Sequence, residues 1–143
     1  MFSLGIEERL EAWYKFRKSL SFSQDPLKET VFFWKNAPFI PFNHKIDRFN
    51  KNDWPTPWEI IIENQYDDFT KAIMIAYTLK LSIPYEDDMI LIKTLVDKEK
   101  RVYNVVEVAD NWVLNFCDSN VLRISEIPDS FMVENQVELI VPR

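Results

Sequence analysis

Between Gly5 and about Leu20, the residues Ile6, Leu10, Trp13, Phe16 and Leu20 recur at spacings of three and four, with Glu, Lys and Arg between them. That period predicts an amphipathic helix. Asp25-Pro26 then supplies an N-cap and a proline for a first helical position, and Leu27, Val31 and Trp34 share one face of a second helix. From Asn36 to Pro55 no period is sustained, yet Phe39, Phe42, Phe49 and Trp54 are spread through the stretch. This reads as an ordered loop held by aromatics, of a length that is usually functional in a compact domain. Thr56-Pro57-Trp58-Glu59 carries a capping box and predicts a short helix to about Asn64. A further helix starts after Asp67, with Asp67 or Asp68 as cap and Phe69, Ala72, Ile73, Ala76 and Tyr77 along one stripe.

From Met89 onward the pattern changes to short β-branched runs. Strands are expected at Met89–Val96, Val102–Ala109, Trp112–Phe116 and Val137–Val141, the first three forming an antiparallel meander through the turns at Asp97–Lys100 and Asp110-Asn111. Helices first and antiparallel strands second predict an α+β domain. It divides into a helical N-terminal region over 1–35, an aromatic loop over 36–55, and a core helix with antiparallel strands over 56–143.

Composition then narrows the chemistry. The 143 residues suffice for one core, and no apolar run approaches the length of a membrane span. Acidic residues near the start argue against a secretory signal, so the protein is expected to work where it is made. A net charge of −6 has the wrong sign for gripping phosphate backbones, so neither nucleic acid nor membrane is an expected partner. One Cys and one His cannot furnish an ordinary zinc site, and one Gly leaves no phosphate-cradling loop; no cofactor or metal is expected. Aromatics reach 15 %, a surplus that suits protein interfaces. Trp13, Phe39, Phe42, Phe49, Trp54 and Trp58 are the candidate partner-binding residues, weighed against an aromatic core.

Tyr66-Asp67-Asp68-Phe69-Thr70-Lys71-Ala72 at a helix start, then Leu81-Ser82-Ile83-Pro84, then Val102-Tyr103-Asn104-Val105-Val106-Glu107-Val108 and Asp110-Asn111-Trp112-Val113-Leu114-Asn115 follow one another in a telling order. Over roughly Asn64 to Phe116 the chain resembles the transglutaminase-like branch of the papain-type cysteine-protease fold. The resemblance implies a Cys opening the core helix, a His opening a strand, and an Asp closing the next strand. A helix dipole would stabilise that thiolate while the His takes its proton. Carried across, the nucleophile falls on Tyr66 or Asp67, the base on Tyr103 and the orienting group on Asn115. Of these only Asn115 suits its task, so the expectation is a degenerate site without catalytic residues.

The residues offer two other chemistries. Cys117 with His44 offers a displaced nucleophile and base, set against a packed, inert thiol. Asp67/Asp68 and Glu86/Asp87/Asp88 offer carboxylate pairs, set against helix capping and a solvated turn. The Trp54-Pro55-Thr56-Pro57-Trp58-Glu59 segment also resembles small proteins of tailed bacteriophages, and the bias toward Lys, Asn, Ile, Phe and Tyr fits an AT-rich genome. The expected function is therefore a non-enzymatic structural or interaction module, a virion component of neck, tail or baseplate, with other protein subunits as partners and the virion or host cytoplasm as its location. The alternatives are an active cysteine hydrolase or acyltransferase and an acidic inhibitor of a host protein.

Overall fold

A computed structural model describes residues 1–117 and 120–141. Four helices come first: α1 (Ile6–Ser19), α2 (Pro26–Trp34), α3 (Pro57–Glu63) and α4 (Asp68–Lys80). Five strands follow: β1 (Ile90–Val96), β2 (Val102–Val108), β3 (Trp112–Leu114), β4 (Leu122–Arg123) and β5 (Met132–Glu138). They form one antiparallel sheet in the order β4-β3-β2-β1-β5. The α+β class and the expected meander are therefore both present.

Local chemistry accounts for the helix starts. Asp25 accepts from Lys28 N ahead of Pro26, and Thr56 and Glu59 close a reciprocal capping box around Pro57. α4 is the central element. Ala72, Ile73, Ile75, Ala76 and Leu79 are buried all round it, between the sheet residues Ile90, Ile92, Val106, Val108 and Leu114 and the N-terminal helices. Its small Ala72 and Ala76 let neighbouring backbones approach.

α1 departs from the expected stripe. Ile6 stays 48 % exposed while Arg9 is buried, because the Arg9 guanidinium donates to the carbonyls of Leu4, Ile61 and Ile62. Trp13 also has to be corrected as a partner-binding residue. It is wholly buried, its indole N–H donating 2.9 Å to Thr78 Oγ1, so no partner reaches it.

The last strand is corrected too. It runs over Met132–Glu138 rather than Val137–Val141, since β1 pairs with the polar, two-faced segment from Met132, leaving an edge strand, while Leu139 turns into the core. The short β4 was not foreseen. β3 ends at Leu114, before the expected Phe116, because Asn115 takes a left-handed φ of 67°.

With a single glycine in the chain, tight turns fall on other residues. Ala109 and Asp110, both at φ 55°, are the central pair of the turn in the three-residue link between β2 and β3, closed by Asn111 N donating to Val108 O. Such a type I′ turn favours Asn-Gly. Ala109→Asn combined with Asp110→Gly is expected to raise stability by about 1 kcal/mol, since each side chain held left-handed costs roughly that much. Urea denaturation of the double variant checks it; an unchanged midpoint would contradict the assignment.

Candidate functional site

The N-terminus of α4 meets the sheet at the floor of a cleft, and each residue there is placed by a local rule. Asp67 is the N-cap. Its Oδ1 accepts from Thr70 N at 2.7 Å and Thr70 Oγ1 at 2.6 Å, and its Oδ2 accepts from Asn43 N of the aromatic loop at 3.0 Å. Both oxygens are thus committed to structure. Tyr66 points the other way, into the core against Phe2 and Trp34, with only its backbone bridging the loop at Pro38 and Ile40. Burial pushes its phenol pKa far up, and its hydroxyl finds no hydrogen-bond partner among the described residues.

Asp68, the first residue of α4, reaches across to the sheet. Its Oδ2 accepts from Asn104 N at 3.2 Å and Asn104 Nδ2 at 3.0 Å, and its Oδ1 accepts from Asn115 Nδ2 at 3.3 Å. Asn115 Nδ2 also donates to Asn104 O at 2.8 Å, and Thr94 Oγ1 on β1 donates to Asn104 Oδ1 at 2.9 Å. One carboxylate therefore clips the start of α4 to β2 and to the residue after β3. The left-handed backbone of Asn115 turns its amide toward the helix.

Strand alternation decides which residues share this site. Asn104, Val106 and Val108 face α4, whereas Tyr103 and Val105 face away. Tyr103 lies in a second aromatic cluster, 5.1 Å from Phe116 and 5.4 Å from Phe131, with its hydroxyl donating to Asp97. Of the neighbouring pair on β2 it is Asn104 and not Tyr103 that faces α4, and of Tyr66, Asp67 and Asp68 it is Asp68 that reaches the sheet. A shift of one position turns a strand residue to the opposite face. Asn115 reaches the same place, its Nδ2 meeting both Asp68 and Asn104. Asn104 was missed, though its parity with Val106 and Val108 was a usable signal.

Above the clip lies a cleft of about 410 Å3, walled by Phe42, His44, Ile46, Arg48 and Phe49 of the loop and floored by Asp68, Phe69 and Asn104. The loop is held rigidly. Trp54 packs edge-on to Phe69 at 5.4 Å and donates its indole N–H to Asp47 O, Arg48 pairs with Glu134 at 2.7 Å, and Asn135 Nδ2 donates to Arg48 O. Phe42 and Phe49, 62 % and 60 % exposed, stand at the rim, and Phe39 is exposed as well. Trp54 is half-buried and Trp58 is 46 % exposed, edge-on to Trp13.

His44 stacks edge-on to Phe42 at 4.7 Å and makes no hydrogen bond to Cys117. Cys117 is exposed rather than packed, its Sγ 3.7 Å from Asn120 Nδ2. Asp88 sits in the turn before β1, its carbonyl accepting from Lys80 Nζ. Among the described residues no three His, Cys, Asp or Glu side chains converge as for a metal ion.

Loss of hydration at the crowded cleft floor raises the Asp68 pKa, outweighing the amide donors of Asn104 and Asn115 and the charge of Lys71, which act to lower it. A folded-state pKa above the unfolded value means the native state binds the proton more tightly. Asp68 therefore adds stability that is fully present below its unfolded pKa and is lost as pH rises through the folded value. Water still reaches the carboxylate through the cleft, so screening keeps the effect small. Urea denaturation from mildly acidic to neutral pH is expected to show wild type losing stability relative to Asp68→Asn as pH rises; parallel curves would refute it.

Solved structures share this architecture. LapG of Legionella pneumophila in its calcium-bound form matches with a TM-score of 0.69 at 18 % identity, covering 94 % of this chain and 77 % of that one. A second LapG structure matches with a TM-score of 0.69 at 17 % identity, covering 92 % and 75 %. LapG has a transglutaminase-like cysteine-protease fold. The fold of this chain is transglutaminase-like. No protein-family model matches it, and no curated protein matches it in sequence. At these identities the likeness speaks for the arrangement of helices and strands alone. Among the described residues no helix is long and apolar enough to cross a membrane.

Proposed function

We propose that the chain is a non-enzymatic interaction module on a transglutaminase-like fold, in which the catalytic position has become a structural clip. One observation carries this reading. At the start of the core helix, where the resemblance calls for a thiol, Asp68 accepts from two asparagines, and a carboxylate so held offers no thiolate for acyl transfer. Asn104 occupies the place of the base and has no titratable proton to exchange. Asn115 keeps an orienting role, now directed at Asp68 and the Asn104 carbonyl.

The cleft above remains available for contact. Phe42 and Phe49 present large apolar surface on a loop held by Trp54, Arg48 and Asn135, so little conformational freedom is lost when a protein partner covers them. The composition and the Trp54–Trp58 segment support placing that partner among the subunits of a tailed-phage particle, in neck, tail or baseplate.

Wild type, Cys117→Ser and Asp68→Ala are to be assayed for casein hydrolysis and for acyl transfer to an amine. The expected result is equal, blank-level turnover in all three. Turnover that disappears in either variant overturns the reading, and disappearance in Cys117→Ser would establish the displaced-nucleophile alternative. Iodoacetamide should label Cys117 in the native state, as its exposure requires, without changing any binding property. Mass spectrometry of purified particles tests the assembly role. A fixed copy number relative to the major capsid protein is expected, and absence from particles would refute that role.

A further inference from the structure

Arg17, on the last turn of α1, has a buried Nε with no hydrogen-bond partner among the described residues. Among the described residues it also makes no ion pair, unlike Arg48 with Glu134 or Arg101 with Asp97 and Glu99. Its guanidinium lies 4.1 Å above the Trp13 ring and 5.6 Å from that of Tyr14, and the ammonium of Lys18 lies 5.5 Å from Tyr14. Burial pulls the Arg17 pKa below its ordinary value, the signature of a cation that has given up water without receiving a counter-charge. The helix dipole favours positive charge at this end of α1, but it supplies no acceptor for that Nε–H.

A cavity of about 70 Å3 lies against these groups, between Tyr14, Arg17 and Lys18 of α1, Ser21 of the 3-10 turn Leu20–Phe22, and Ile83 of the 3-10 turn Ile83–Tyr85. It is far smaller than the ~300 Å3 or more of a site for a drug-sized ligand, and its size suits a single small planar group. The two turns pack on one another, and their tips are apolar and open: Phe22 is 90 % exposed and Ile83 66 %. In a chain of net charge −6, two cations ringed by exposed apolar residues form a local exception.

We infer that this pocket receives the carboxylate of a Glu or Asp side chain from a partner protein, flanked in that partner by apolar residues that cover Phe22 and Ile83. The Arg17 fork accepts the planar carboxylate in the geometry that guanidinium favours, and Lys18 adds a second charge. The exposed apolar rim argues for a protein segment over a free anion, which would leave Phe22 and Ile83 uncovered. This surface shares no lining residue with the Asp68 cleft, so it stands or falls independently of the reading given to that cleft.

The test is an NMR titration of the full chain following the Arg17 Nε–Hε signal and the amides of Ser21 and Ile83. The probes are acetyl-Phe-Glu-Leu-amide, its Gln counterpart, sodium acetate and inorganic phosphate. The Glu peptide is expected to saturate these signals and to bind about tenfold or more tightly than the Gln peptide, because only the former forms a charge-assisted fork. Arg17→Gln should abolish saturation. Should that variant fold poorly, Phe22→Ser, at a position that is almost fully exposed, should weaken peptide binding while leaving the acetate response unchanged. Equal responses to the Glu and Gln peptides, or no saturable shift, would overturn the inference. A phosphate response tighter than that of the Glu peptide would also overturn it, assigning the pocket to a free anion.

Discussion

Thr78→Val is expected to destabilise the protein by about 4 kcal/mol, because a buried N–H left without an acceptor costs roughly 1–3 kcal/mol and this change strands two of them. Trp13 and Trp34, both wholly buried, donate their indole N–H groups to Thr78 Oγ1 at 2.9 and 3.0 Å. The same hydroxyl donates to Met74 O at 2.6 Å, so its one donor and two acceptor sites are all used. Through it α1 and α2 are fixed to the central helix. Valine matches the shape and keeps the methyl packing, so the loss isolates the oxygen. Thr78→Ser keeps the oxygen and gives up a methyl, at about 1 kcal/mol. Urea denaturation measures both, and the indole N–H resonances of Trp13 and Trp34 supply an independent signature. They should move in the Val variant and stay in the Ser variant. A Val variant as stable as the Ser variant would show that the hydroxyl carries little.

The second large effect concerns Arg9. Its Nε and Nη2 donate to the carbonyls of Ile61 and Ile62 at 3.2 and 3.0 Å, and its Nη1 to Leu4 O at 2.6 Å. Ile61 and Ile62 lie in the last turn of α3, whose carbonyls have no intrahelical partner, and the negative end of that helix compensates the buried charge. Arg9→Met should cost about 3 kcal/mol, since hydrogen bonds from a charged donor are worth roughly 1.5–3 kcal/mol each and Met regains only the packing of the stem. Arg9→Lys should recover less than half. A single ammonium cannot span three carbonyls that a planar fork reaches. A Lys variant of wild-type stability would mean that charge alone, rather than the fork, holds α1 to α3.

These two hubs explain why some of the molecule was legible in its sequence and some was not. Helix starts were legible because capping is local: Asp25, Thr56 with Glu59, and Asp67 all act within four residues. The meander was legible for the same reason, as its turns join neighbouring strands. The role of Arg9 was not. A charged residue between apolar positions reads as solvated, and its burial depends on carbonyls 52 and 53 positions away. Trp13 and Trp34 were read correctly as apolar-face residues, but an indole on such a face looks alike whether it packs inward or outward. Only Thr78, 65 and 44 positions distant, decides it.

The candidate site shows the same division at finer grain. The chain by itself determined the order of the helices, a cap at Asp67 or Asp68, the aromatic loop and the antiparallel meander, because period, capping and turn chemistry are carried by neighbouring residues. It also determined the absence of zinc-ligand and phosphate-loop residue sets, which composition alone settles. Tertiary structure decided that Asn104 rather than Tyr103 faces the helix, that Asp68 rather than Asp67 or Tyr66 reaches it, and that Cys117 and His44 form no hydrogen bond to one another. Strand parity becomes definite only once β2 is packed on α4, and a one-residue difference in parity exchanges the two faces of a sheet. Whether a carboxylate is a cap, a clip or a free acid depends on which donors the fold brings to it, and those donors come from strands far along the chain.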